Sequence, residues 1–212
     1  MRKIYCISGL GVNHRAFTAL NPRDVELIPV PWIPFNKKES LKSYSKRLYE
    51  SMDVEEEFSL LGLSLGGMLA QEISKIHAPK HLFLLSTAKH PKDISRILLL
   101  GKLGVQYLLP DFMLTHSNPI LDWYFGAKST HSTRILKEMM ADADPVFIRR
   151  AIDAIARWEG CTTIHAHIIH GASDKLIPAR EDADLLLPEE GHLVVLEQGE
   201  AISLYIEDKL QD

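Results

Sequence analysis

Cysteine is scarce in this chain. Two occur in 212 residues, Cys6 and Cys161. They stand far apart, one inside an apolar run and one just before another. Reduced thiols in or near the core are therefore expected, not a disulfide. Neither has a partner at metal-site spacing, so no metal centre is expected. A basic excess is also missing. The net charge is −4, which gives no electrostatic footprint for a nucleic-acid partner. Long apolar runs are absent too. The longest candidate, residues 97–109, is interrupted by Lys102 and Gln106 and is too short to span a bilayer. Residues 1–7 lack the apolar core and small-residue cleavage site of a signal peptide and read as a strand. These absences lead us to expect a soluble, cytoplasmic protein with no membrane partner. Repeats and low-complexity segments are missing as well.

What remains is ordinary globular composition, 46% hydrophobic and 25% charged. The length suits one α/β domain with a full core over residues 1–212. Residues 3–8 read as a buried strand that stops at Gly9-Leu10-Gly11. Asn13 is placed to cap a short helix reaching about Leu20. A second strand is predicted over 25–30. Ser40 then caps a helix with Leu41, Tyr44, Leu48 and Met52 on one face. The acidic run Glu55-Glu56-Glu57 reads as a solvated connection. Strands follow at 58–63 and 81–86. Between them a helix carries Leu65, Leu69, Ile73 and Ile76 on its apolar face. Strand, helix, strand in alternation with short connections predicts a parallel sheet with helices on both sides.

The pattern breaks over residues 88–160, where no strand is expected. Helical stretches are predicted near 93–108, 117–124, 130–141 and 145–158. The last begins with a strong signal, Asp144-Pro145: a capping residue, then proline at the first helical position. We expect this insertion of about 70 residues to form a helical cap over the C-terminal edge of the sheet. Strands resume at 163–169 and 184–187, and a final helix is predicted over 199–210.

One stretch organises the rest. Gly62-Leu63-Ser64-Leu65-Gly66-Gly67 joins an apolar strand to a helix, with serine at the apex. This is the sequence form of a nucleophile elbow, G-x-S-x-G. Gly62 and Gly66 sit where side chains would collide as strand and helix close on each other. A serine hydroxyl needs a base to take its proton, and the usual base is a histidine oriented by a carboxylate. Of ten histidines, His192 stands out, in a short loop between the last strand and the last helix. Asp174 is the matching acid, in the turn that follows the strand ending at Ile169. Two backbone N–H groups are suited to an oxyanion hole: that of Leu65, at a helix N-terminus, and that of Leu10, in the glycine-flanked loop.

Taken together, the elbow, Ser8-Gly9-Leu10-Gly11, the segment from Gly171 to Asp174, and Gly191-His192 resemble the α/β-hydrolase superfamily, in the same chain order. The likeness covers nearly the whole chain and is nearest to the small cap-bearing hydrolases. It implies Ser64 as nucleophile, Asp174 as acid, His192 as base, and Leu10 and Leu65 as oxyanion donors. Three departures stand out. Many relatives begin with two further strands, so about six parallel strands are expected here instead of eight. Only 17 residues, 175–191, separate Asp174 from His192, too few for the helix that relatives place there. Ser8 stands where many relatives have histidine, which alters the bracing of the oxyanion loop.

Other residues are given plainer roles. His165, His167 and His170 are expected to be ordinary strand positions, and His77, His81 and His90 surface or capping positions. Asp93 is an alternative acid but lies too far beyond its strand. Asp182 and Asp184 are expected to be solvated. Trp123, Tyr124, Phe125 and Trp158 are expected to pack the cap, with Trp123 and Phe125 as candidates to line a substrate pocket. The expected activity is hydrolysis of a small, fairly apolar ester or thioester, with no cofactor. The alternatives are a catalytically silent binding protein on the same fold, or an amidase or aminopeptidase.

Overall fold

A computed structural model describes residues 1–54, 57–161 and 165–211. Glu55 and Glu56 of the acidic connection lie outside the described residues, as do Thr163 and Ile164, where the fifth strand was expected to begin.

Six strands form one sheet: β1 (Arg2–Ile7), β2 (Val25–Pro29), β3 (Ser59–Leu63), β4 (Leu82–Leu85), β5 (His167–Gly171) and β6 (Leu185–Leu187). Their order is β2-β1-β3-β4-β5-β6, and every neighbouring pair is parallel. Period-two alternation splits the apolar side chains between two layers. Tyr5, Ile7, Leu60, Leu82 and Leu84 face one side. Ile4, Cys6, Leu61, Leu63, Phe83 and Leu85 face the other.

Helices cover both layers. On the first side, α1 (Leu41–Glu50) and α2 (Leu65–Ser74) bury Leu41, Tyr44, Leu48, Leu69 and Ile73. Ser40 caps α1 by accepting the Ser43 N–H. Ile76 lies beyond the end of α2 and is exposed, so the expected apolar face is one residue shorter. On the other side, a single 3-10 turn (His14–Phe17), capped by Asn13, replaces the longer helix expected there.

Among the described residues, five α-helices lie between β4 and β5: α3 (Arg96–Leu99), α4 (Asp111–Thr115), α5 (Pro119–Phe125), α6 (Thr130–Ala141) and α7 (Pro145–Ala156). Asp144 caps α7 by accepting the Val146 N–H, with Pro145 at the first position. The stretch expected to be helical over 93–108 is broken into α3 and 3-10 turns. Gly104, at φ +72°, takes the left-handed conformation that ends one such turn. The chain closes with α8 (Val194–Glu197) and α9 (Gly199–Lys209). The 3-10 turn, α6, α8 and α9 supply the second layer. No helix among the described residues is long and apolar enough to cross a membrane. Both cysteines are buried, and neither is in a disulfide.

The chain enters at β1, visits the edge at β2 and returns to β3. Connections therefore leave β1 and β3 in opposite directions. The C-terminal ends of these two adjacent strands form the switch point at which open α/β sheets hold ligands. Gly9-Leu10-Gly11 follows β1, and Ser64 follows β3.

Candidate active site

Ser64 has φ +55° and ψ −117°, a conformation that non-glycine residues rarely adopt. It occupies the capping position of α2, yet its hydroxyl makes no capping hydrogen bond. The strained turn frees the hydroxyl for another partner. Its surroundings hold the turn in place. The Ser64 carbonyl accepts the Thr87 hydroxyl at 2.6 Å and the Ser64 N–H donates to Leu85 at 2.9 Å. A Cβ on Gly62 would meet the Gly66 oxygen and the Gly67 Cα at 2.5 Å. Only glycine lets strand and helix close this far.

The Ser64 hydroxyl donates to His192 Nε2 at 2.8 Å. His192 Nδ1–H donates to Asp174 Oδ2 at 2.7 Å. The partners set the tautomer: Nδ1 faces a carboxylate, so it carries the proton, and Nε2 is left to accept. Asp174 and His192 are 6% and 3% exposed. Asp174 Oδ1 accepts the N–H groups of Leu176 and Ile177 at 2.9 and 3.0 Å. Burial alone would push the Asp174 carboxyl up. The charge of His192 and the hydrogen bonds from His170, His192 and Ile177 outweigh it and hold the group well below the usual carboxylate range.

The two loops that carry Asp174 and His192 are tied together. The Ser173 N–H donates to the Glu190 carbonyl at 2.8 Å, and the Ala172 N–H to Leu187 at 2.9 Å. The end of α5 closes on the same place. Leu193 N–H donates to the Phe125 carbonyl at 3.0 Å, and a Cβ on Gly126 would meet the Gly191 Cα at 2.7 Å. No helix forms between Asp174 and β6.

The loop after β1 packs against the elbow. A Cβ on Gly9 would lie 3.2 Å from the Ser64 Cβ. Within this loop the Ser8 hydroxyl donates to the Val12 carbonyl at 3.2 Å, as does Trp32 Nε1. The serine found in place of histidine thus braces the loop from inside.

A cavity of about 160 Å³ opens over Ser64 and His192. Leu10 and Leu65 line it, together with Phe125, Leu121, Met140 and Ile152 from the segment between β4 and β5. Among the described residues that line it, Ser64 and His192 carry the only polar side chains. Sequence reasoning paired Trp123 with Phe125, and the structure separates them. Phe125 lies in the wall, with its ring 5.9 Å from that of His192. Trp123 is exposed, under the Lys175 ammonium at 4.1 Å, and does not line the cavity. The two are two residues apart on one helix, so they point to nearly opposite sides.

Other candidates are drawn elsewhere. The Asp93 carboxylate is taken up by Arg180 and by the N–H groups of Lys89 and His90. Asp182 pairs with Arg180. Asp184 is exposed, as expected, but also accepts the Ile168 N–H at 2.7 Å. His77 bonds the Tyr49 hydroxyl at 2.7 Å. The ring of His167 stacks on that of Phe83, with centroids 5.1 Å apart. His170 is a strand position, in β5, but has a further contact. It is fully buried, and its Nε2 faces both the Ile177 carbonyl and Asp174 Oδ2. Among the described residues, no group of three or more His, Cys, Asp or Glu side chains is placed to hold a metal ion.

No family model matches the chain, and no curated protein matches its sequence. Solved structures do match in shape. A thermophilic esterase from Thermogutta terrifontis superposes with a TM-score of 0.66 at 14% identity, covering 100% of this chain and 90% of that one. A putative lipase from Acinetobacter baumannii gives 0.70 at 16%, covering 99% and 84%. The enol-lactonase from Burkholderia xenovorans gives 0.71 at 15%, covering 100% and 92%. The chain has the α/β-hydrolase fold, with a sheet of six parallel strands.

Proposed function

We propose that this protein is a serine hydrolase that cleaves a small, apolar carboxylic ester or thioester through an acyl-enzyme. One observation carries the reading: Ser64, His192 and Asp174 form a continuous hydrogen-bonded line at the floor of an apolar cavity. In this reading Ser64 Oγ attacks the carbonyl carbon as His192 Nε2 takes its proton. The N–H groups of Leu10 and Leu65 hold the oxyanion. Asp174 fixes the imidazole and stabilises its cation. His192 returns the proton to the departing alcohol or thiol, then activates the water that releases the acid. Residues 88–160 act as the cap that shapes the acyl pocket. The esterases and lipase of similar shape support hydrolase chemistry of this kind.

The cavity wall supports an uncharged acyl group. Among the described lining residues there is no carboxylate to anchor a substrate amine, which favours an ester over an aminopeptidase substrate. A cavity of about 150 Å³ holds one benzene-sized molecule, so the pocket suits an acyl chain of about six carbons. Each methylene buried contributes about 0.8 kcal/mol, roughly fourfold in kcat/KM. Across p-nitrophenyl esters, kcat/KM is expected to climb from acetate to butyrate and hexanoate and to fall by decanoate. A flat series would remove the pocket from the substrate reading.

A fluorophosphonate probe tests the chemistry itself. Ser64 is expected to become labelled in the folded protein, and Ser64→Ala to abolish both labelling and p-nitrophenyl butyrate turnover. Folded protein that resists the probe would leave the silent binding protein as the better reading.

A further inference from the structure

We infer that His170 is a positioning residue for the proposed triad, holding Asp174 through a hydrogen bond from its Nε2–H. This rests on the hydrolase reading of Ser64, His192 and Asp174.

The geometry is specific. His170 is the penultimate residue of β5, just before Gly171, and is fully buried. Its Nε2 lies 2.7 Å from the Ile177 carbonyl oxygen and 3.2 Å from Asp174 Oδ2. A carbonyl oxygen only accepts, so Nε2 carries a proton and shares it between two oxygens. Asp174 is then held at four points. Oδ1 takes two backbone N–H groups, and Oδ2 takes both His192 and His170. The carboxylate cannot rotate without giving up one of them.

The other ring nitrogen supplies the second half of the argument. Among the described residues, none offers a hydrogen-bond partner to the buried His170 Nδ1. Protonating it would create a buried cation with an unsatisfied N–H, which is costly. A neutral donor suits the chemistry better than a charged one. A cation at His170 would cancel the charge that Asp174 must offer to the imidazolium forming at His192. A neutral donor fixes the carboxylate and leaves its charge in place.

The charged groups on the surrounding elements are otherwise engaged. Lys175 turns out over Trp123. Arg180 pairs with Asp93 and Asp182. Glu190 is held by Gln198 and by Lys128. Among the described residues, Asp174 remains as the ionisable partner of His170.

Two variants separate positioning from filling space. His170→Phe keeps the volume and removes the donor. His170→Gln keeps an N–H near the Nε2 position. His170→Phe is expected to lower kcat for p-nitrophenyl butyrate at least tenfold with little change in KM. It should also move the acid limb of the pH–kcat/KM profile to higher pH, because Asp174 freed of one donor holds the His192 proton more tightly. His170→Gln is expected to recover most of kcat and return the limb toward wild type. If His170→Phe does not fold, His170→Gln against His170→Met gives the same comparison. Folded donor-less variants with wild-type kcat and an unmoved limb overturn the inference. A uniform loss in all variants with no shift of the limb also overturns it, leaving His170 as packing. Wild-type protein that is neither labelled by the fluorophosphonate nor active points instead to failure of the hydrolase reading.

Discussion

Asp174→Asn is expected to fold and to lose about 10⁴-fold in kcat, the scale on which a triad carboxylate acts. The direction of the amide decides this. Oδ1 accepts N–H groups from Leu176 and Ile177. An amide nitrogen placed there would oppose two donors at once. The asparagine keeps its oxygen toward those N–H groups, which are fixed donors, and turns its nitrogen toward His192 and His170, because His192 can relieve its share of the opposition by changing tautomer. His192 Nδ1 then has to accept instead of donate, and the proton moves to Nε2. That nitrogen now meets the Ser64 hydroxyl with a proton of its own and cannot act as base. Turnover of p-nitrophenyl butyrate and the rate of fluorophosphonate labelling should fall together, while thermal unfolding still shows one cooperative transition. A folded Asp174→Asn variant within tenfold of wild-type kcat would mean that Asp174 does not orient the base.

Much of this arrangement was legible in the chain because its causes are local. Ser40 and Asp144-Pro145 mark their helix starts by side-chain chemistry, and the helices begin there. The glycines flanking Ser64 report a steric fact that only a tight strand-to-helix crossing creates. The misses have physical causes as well. Residues 168–171 of β5 are buried on both faces, so no alternation distinguishes His170 from its neighbours. Its role depends on a turn that brings residues 174–177 back beside it. The helix expected over 93–108 fails at Gly101 and Gly104. Gly101 packs so closely on α7 that a Cβ would lie 2.6 Å from Ile152, a contact invisible from local sequence. α4 is five residues long, too short to show a helical period. Trp123 and Phe125 were grouped by residue type, where helical geometry already set them apart.

Gly66→Ala is expected to prevent stable folding. A Cβ at Gly66 would lie 2.6 Å from the Ile7 carbonyl carbon and closer still to the Ile7 and Ser8 oxygens. These are backbone atoms. β1 is paired on both sides, by β2 and β3, so Ile7 cannot move away cheaply. The helix cannot retreat either. Gly67 is pressed against Thr87, where a Cβ would meet Thr87 Cβ at 2.6 Å, and Thr87 in turn holds the Ser64 carbonyl. Without an escape, the clash should cost about 4–5 kcal/mol or more. Domains of this size are stable by about 5–15 kcal/mol, so most or all of the margin is lost. Gly11→Ala is the matched comparison. Gly11, unlike Gly66, has a left-handed conformation, φ +71°, but its nearest neighbour is 4.0 Å away. Its cost should be only the backbone term, about 1–2 kcal/mol. Urea unfolding midpoints and soluble yield test the pair: Gly11→Ala shifts modestly, and Gly66→Ala yields little folded protein. Similar midpoints for both would mean that the crossing is looser than it stands here. The same crossing sets the spacing of the proposed oxyanion donors, because Leu10 follows the β1 end that Gly66 touches and Leu65 precedes Gly66. Any Gly66→Ala molecules that do fold must have spread that crossing. Their kcat should therefore fall further than their KM rises, since a widened oxyanion hole weakens the transition state more than the bound ester.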